Sequence, residues 1–393
     1  MSANDLLVVA GEASGDRAGA AVVHRLRESG LDVRAFGMGG GALEREGVEL
    51  VSDLRDLTAM GVAEVARRAC NVGVAYARLR TAIARRRPAA ALLVNYTEFN
   101  SRLAGTLWAS GTRVLWYGAP QVWAWRRGRA VPLRKNLDRM AVMLPFEEQI
   151  WRDLGVDAHY VGHPALEERR DPAQGRVPAR ELLGMTPFAP AVAILPGSRP
   201  HEVRRLLEPM LVGYEEVRKD RASLDARVLL APSLDAKTRT WVRATCEAFD
   251  VDLVDIDPRA GLAYSLPAFD VALCASGTAS LECVLAHAVP VVCYRVGWAT
   301  ELGARAFLTT KHIALPNILL DRAAFPELLQ RNATPTRISD TLGEVLDRRE
   351  TLVGMCSEVV DVLGSKKSAS TEVARMLEPW LEEPRARARA SRA

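Results

Sequence analysis

Residues 6–19 read Leu-Leu-Val-Val-Ala-Gly-Glu-Ala-Ser-Gly-Asp-Arg-Ala-Gly. The apolar run Leu6–Ala10 has the length of a buried strand, and the small-residue turn behind it leads into a helical pattern, Arg17–Glu28. Ala18, Ala21, Val22 and Leu26 line one face of that helix. A strand, a glycine turn and an amphipathic helix make one βα unit of a parallel sheet. Outward from this stretch the alternation repeats. Strands are predicted at Leu6–Ala10, Val33–Phe36, Ala90–Val94, Arg113–Trp116 and Met140–Met143. A second series runs Val192–Leu195, Arg227–Ala231, Val251–Val254, Val271–Cys274 and Pro290–Tyr294. The fold class is α/β, with two Rossmann-like domains expected to face each other across a cleft.

The length of 393 residues also argues for two domains, since a single one usually holds ~100–200. We place the first at 1–165 and the second at 187–350, with a Pro-rich linker inside His163–Pro190. Helices over 351–383 follow, open to return to the first domain, and an Arg-rich tail at 384–393 is expected to be mobile. Hydrophobic residues make 49% and charged residues 25%, which suits a packed globular chain and leaves little room for long disorder. No apolar run nears the ~20 residues of a membrane-spanning helix. The start of the chain lacks the basic and apolar regions of a secretory signal, so a cytoplasmic location is expected. Six scattered cysteines form no Cys-x-x-Cys pair, and neither a metal site nor a disulfide framework is expected from them. They read as small buried hydrophobes.

Net charge is +4, but unevenly spread. Val65–Arg139 holds fifteen Arg or Lys against Glu98 and Asp138 alone, a local +13 that leaves −9 elsewhere. Either these cations decorate solvated helix faces, or they confront something anionic: phosphate, nucleic acid or a lipid leaflet.

Three turns carry chemistry. Gly11, Ser14, Gly15 and Asp16 lie where a helix N-terminus offers free N–H groups, although Asp16 also reads as a plain helix cap. Gly37–Gly41, after the second strand, is a further glycine cluster able to bring backbone close to a ligand. Gly197, Ser198 and Arg199 end a strand, with Glu202 on the next helix; close backbone, a hydroxyl and a guanidinium fork are what a pyrophosphate requires. Ser276, Gly277 and Thr278 form another strand-to-helix turn, whose dipole suits a departing phosphate, and Glu282 one turn later is placed to accept ribose hydroxyls. Trp123, Trp125 and Arg126 suggest an interfacial segment, with buried core tryptophans as the alternative; nucleic acid is set aside because the stretch is short and the other motifs point to a nucleotide sugar. His163, at a strand end near the linker, reads equally as a cleft residue and as a structural histidine.

These pieces fall into a longer series. Gly-Glu-Ala-Ser-Gly-Asp (11–16), Met-Gly-Val-Ala-Glu-Val (60–65), Glu-Phe-Asn (98–100), Pro-Gln-Val-Trp-Ala-Trp-Arg (120–126), Leu-Pro-Phe-Glu (144–147), Val-Gly-His-Pro (161–164), Leu-Pro-Gly-Ser-Arg (195–199), Ala-Ser-Gly-Thr-Ala-Ser-Leu-Glu (275–282), Leu-Pro-Asn (315–317) and Pro-Glu-Leu-Leu-Gln (326–330) occur in that order. The chain resembles the lipid-A-disaccharide synthase family over residues 6–331. The resemblance implies a GT-B fold and inverting transfer of 2,3-diacylglucosamine from UDP to 2,3-diacylglucosamine 1-phosphate. It implies no metal and no cofactor, the UDP-sugar being a substrate. It further implies peripheral attachment to the anionic inner leaflet of the cytoplasmic membrane; a homodimer is left open. By the same analogy Gly197, Ser198, Arg199, Ser276, Gly277, Thr278, Glu282 and Asn317 hold the nucleotide. Gly11, Ser14, Gly15, Asp16, Trp123, Trp125 and Arg126 serve acceptor and membrane.

One position departs from the pattern. Where the family reads Asp-Ala-Pro, then an acid and Phe-Asn, this chain has Asn95-Tyr96-Thr97-Glu98-Phe99-Asn100. The aspartate is the family's candidate base, and the Asn95 amide cannot take up a hydroxyl proton. Three outcomes stand: Glu98 acts as base, transfer proceeds slowly without one, or the chain binds its ligands without reacting or transfers another sugar. Glu98 also reads as a helix cap, and a UDP-sugar 2-epimerase is a further reading of such a two-domain chain.

Overall fold

The computed structural model describes residues 5–54, 62–123, 130–258, 261–275, 277–295, 311–364 and 368–382. The chain divides into two compact units, 1–167 with 366–393, and 168–365. Asp5–Ala10 (β1), Arg34–Gly39 (β2), Glu49–Asp53 (β3), Ala90–Val94 (β4), Arg113–Tyr117 (β5), Arg139–Val142 (β6) and Ala158–Tyr160 (β7) form the first sheet. Its order is β3-β2-β1-β4-β5-β6-β7, and every pairing is parallel. Strand residues alternate between two cores: Leu7, Val9, Leu93 and Trp116 pack on one face, Leu6, Val8, Leu92 and Tyr117 on the other. That two-sided burial is why these strands read as continuous apolar runs.

Helix Ala13–Glu28 covers the second face, burying Ala18, Gly19, Val22, Val23 and Leu26, while Ala21 stays half-buried. The C-terminal helix Ala369–Glu382 joins it there through Val373, Ala374, Leu377 and Trp380, whereas Arg349–Val362 belongs to the second unit. Burying a side chain such as Leu377 stabilises by roughly 1.5–3 kcal/mol. Arg139 secures that helix, donating to the Met376 carbonyl at 3.2 Å while its guanidinium lies 5.1 Å from the Trp380 ring centroid.

In the second unit, Ala191–Leu195 (β8), Asp225–Leu230 (β9), Asp252–Asp255 (β10), Val271–Ala275 (β11), Val289–Tyr294 (β12) and Glu327–Leu329 (β13) run parallel in the order β10-β9-β8-β11-β12-β13. The stretch read as a linker holds two helices, Pro164–Glu168 and Pro172–Leu182. Pro164 and Pro172 open them, because proline suits the first helical turn, where an N–H would lack a partner. The tail at 384–393 lies outside the described residues. Cys246, Cys274, Cys283, Cys293 and Cys356 are free thiols and buried; burial pushes the Cys246 thiol up to about 11 and Cys356 up to about 12.

Candidate active site

Each sheet has one point where the strand order reverses. In the first the chain leaves β1 toward β2 and leaves β4 toward β5; in the second it leaves β8 toward β9 and β11 toward β12. Loops at the carboxyl ends of such neighbouring strands diverge and leave a crevice, where open α/β sheets bind ligands. The turns at 11–16 and 95–98 share the first point, those at 197–199 and 277–282 the second.

At the β8/β11 point, Gly197 has φ +130, and a Cβ there would meet Glu202 Cβ at 2.7 Å. Only glycine satisfies both conditions. The Glu202 carboxylate accepts from the backbone N–H of Ser198 at 3.2 Å and of Arg199 at 3.3 Å, and from Arg199 Nη1 at 2.9 Å. Buried beneath the turn, it holds the loop while the Arg199 side chain remains 67% exposed. Ser198 is exposed too, its carbonyl accepting from Ser233 Oγ at 3.1 Å. Gly277, at φ +134, begins helix Thr278–Leu285, and Thr278 is exposed at that N-terminus. Glu282 is half-buried one turn on. Ser276 lies outside the described residues.

Asn317 has another job. Fully buried, it donates from Nδ2 to the Phe325 carbonyl and to Glu327 Oε1, both at 2.8 Å, and its Oδ1 accepts from Phe325 N–H at 2.8 Å. Both of its N–H donors are taken within the protein, so it clasps helix Leu315–Leu320 to the segment entering β13 and has no donor left for a nucleotide. A cavity of about 360 Å³, lined by Asn317 with Phe325, Glu327, Val345, Arg348 and Leu352, includes none of the Gly197–Arg199 turn.

At the β1/β4 point several expectations need correction. Asp16 is buried and caps a different helix, Gly41–Arg45, accepting from Gly40 N–H at 2.7 Å, Ala42 N–H at 2.8 Å and Leu43 N–H at 3.3 Å. The glycine cluster 37–41 therefore receives this carboxylate: a Cβ at Gly40 would stand 2.9 Å from Asp16 Oδ2. Gly11 makes room for a side chain rather than a ligand, since its Cβ would stand 2.0 Å from Tyr96 Cγ. Gly15 is buried against Val94, and Ser14 is exposed. Trp123 is buried, not interfacial; its indole N–H donates to Glu147 Oε1 at 2.9 Å and its ring meets Phe146 edge-on at 5.0 Å. Burial pushes the Glu147 carboxyl up to about 7. Trp125 and Arg126 lie outside the described residues. His163 is buried, accepts at Nδ1 from Ala165 N–H at 3.2 Å, and is pushed down to about 4 by that burial.

Asn95 and Tyr96 are consecutive left-handed residues, φ 47 and 48. Such strain persists only where the surroundings impose it. Here Asn100 does so, its Nδ2 donating to the carbonyls of Val94 at 3.3 Å and Asn95 at 2.7 Å. The Asn95 Nδ2 amide donates to Glu12 Oε1 at 3.4 Å. Glu98 is exposed in the first turn of helix Thr97–Ala109, whose N-cap is Tyr96. Glu12 was not singled out in the sequence; its place beside Gly11 at a strand end was the available signal, but only the sheet order brings it to Asn95.

A family model described as lipid-A-disaccharide synthetase matches residues 6–376. The lipid-A-disaccharide synthase of Myxococcus xanthus is 40% identical over 95% of this chain and 97% of its own length. That of Anaeromyxobacter dehalogenans (strain 2CP-C) is 39% identical over 92% and 94%. The chain belongs to the lipid-A-disaccharide synthase family. Members are glycosyltransferases, and this chain is an enzyme of that class with the two parallel-sheet domains of the GT-B fold. Solved structures agree on the fold: a UDP-N-acetylglucosamine 2-epimerase from Listeria monocytogenes superposes with a TM-score of 0.69 at 12% identity, over 98% of this chain and 99% of that one. The Neisseria meningitidis UDP-GlcNAc 2-epimerase, solved with UDP-GlcNAc, gives 0.61 at 12% identity over 95% and 100%. At such identity the likeness speaks for fold alone, and the full-length match favours the synthase family over the epimerase reading.

Proposed function

We propose that the chain transfers 2,3-diacylglucosamine from UDP to 2,3-diacylglucosamine 1-phosphate, giving the β-1,6 lipid A disaccharide and UDP, without metal or cofactor. The Gly197–Arg199 turn and the Thr278 helix N-terminus hold the diphosphate, with Glu282 at the ribose; the β1/β4 turns receive the acceptor. The observation that carries this reading is the exposed Arg199 fork beside the β8/β11 reversal, locked from below by Glu202. An exposed guanidinium at a strand-end turn, with the N-terminus of helix Thr278–Leu285 at the same reversal, suits a pyrophosphate in charge and in shape.

The acceptor's lipid chains make an anionic membrane surface the natural workplace. Helix Val62–Arg86 exposes Arg78, Arg80 and Arg85, which supports attachment by charge, and among the described residues no helix is long and apolar enough to cross a membrane. Incubating the purified chain with both acylated sugars is expected to release UDP together with a disaccharide. Saturable UDP-sugar binding without any product would replace the enzyme by a binding homologue.

A further inference from the structure

Asn95 cannot accept a proton, yet it touches a group that can. Its side chain and that of Glu12 stand at the ends of neighbouring strands, 3.4 Å apart, with the amide nitrogen toward the carboxylate. A carboxylate offers only acceptors, so the amide must present its nitrogen. The other end of the amide sits in the space that a glycine leaves: a Cβ at Gly118, φ +81, would stand 2.0 Å from Asn95 Oδ1. Tyr96, next in the chain, lays its ring over Gly11 and stacks on Phe99 at 5.3 Å. Glu12 occupies the N-cap of helix Ala13–Glu28 but makes no capping hydrogen bond, so its carboxylate is not engaged by that helix. It is exposed, and among the described residues Asn95 is its one hydrogen-bond donor.

We propose that Glu12 is the general base of the transfer and Asn95 its positioning residue; this rests on the transferase reading above. The acceptor hydroxyl oxygen bonds to C1 of the donor sugar as the C1–O bond to UDP breaks. The electron pair of that bond leaves on the diphosphate. The hydroxyl proton passes to the Glu12 oxygen that Asn95 does not hold. A strained, glycine-walled turn that aims an amide at a carboxylate pre-orients the base before substrate arrives.

The test is UDP release by the full chain with the two acylated sugars. Glu12→Gln is expected to lower kcat ~10²–10⁴-fold, with the KM for donor within about threefold of the parent. Placing Asn95→Asp in that background returns a carboxylate to the site and is expected to recover kcat about tenfold or more. Asn95→Asp alone is expected to gain less than about tenfold, because a base is already present. A melting temperature matching the parent separates lost chemistry from lost folding. Should Glu12→Gln fold poorly, Glu12→Asp, which keeps the charge but retracts it, is expected to lose kcat about tenfold with KM held. An active parent with an unaffected Glu12→Gln, or with the large loss in Glu98→Gln instead, overturns the base assignment alone. A parent that releases no UDP overturns the transferase reading and this proposal with it.

Discussion

Two turns at the same topological position, Gly11–Asp16 after β1 and Gly197–Glu202 after β8, present opposite charge at their strand ends. Each contains a buried carboxylate that gathers backbone N–H groups. In the second unit Glu202 stays under its own turn and leaves the Arg199 guanidinium exposed above it. In the first, Asp16 caps Gly41–Arg45, and at the reversal the Asn95 amide donates to the Glu12 carboxylate. The glycines differ in the same sense: Gly197 and Gly277 serve a left-handed turn, whereas Gly11 yields space to the Tyr96 ring. A diphosphate calls for positive charge; a hydroxyl proton calls for a carboxylate in a rigid setting. On the proposed reading, one fold would supply both by changing what lines its strand ends.

The contrast can be sharpened through the carboxylates assigned to architecture, beginning with Glu147. Its folded carboxyl titrates near 7 against an ordinary 4.5, so between those values the folded chain keeps a proton that the unfolded chain has released. The stabilisation is complete below pH 4.5 and is lost as pH rises through 7. Urea unfolding at pH 5 and pH 8 is expected to differ by about 2–3 kcal/mol from this group, and Glu147→Gln to lose that difference. An unchanged slope in the variant would place the proton elsewhere.

Asp16→Ala is the smaller test. Removing a cap of this kind costs about 1–2 kcal/mol, read as a lower urea midpoint, while UDP affinity is expected to stay with the parent. Weakened UDP binding at parental stability would return Asp16 to the ligand and break the comparison.

The fold was largely legible because its central strands are buried on both faces, so Leu6–Ala10 and Ala90–Val94 read as unbroken apolar runs. The strands that escaped, Glu49–Asp53, Ala158–Tyr160 and Glu327–Leu329, all lie at sheet edges, where strands are short and less apolar. The site was legible by motif but not by role. Asp16, Asn317 and Trp123 belong to functional-looking strings, yet each has its polar atoms engaged by the protein, and nothing in a linear string says that Asn317 faces Phe325 or Trp123 faces Glu147. Glu12 shows the converse. Eighty-three residues separate it from Asn95 along the chain, and only strand pairing makes them neighbours.

The division of labour is tested most directly by titrating UDP into the parent, Arg199→Ala and Glu12→Gln in one calorimetric series. Arg199→Ala is expected to bind UDP about 10- to 100-fold more weakly, the loss of one charged hydrogen-bonding group, and Glu12→Gln to bind it as the parent does. Equal affinity in Arg199→Ala and the parent, or affinity lost in Glu12→Gln, would contradict it.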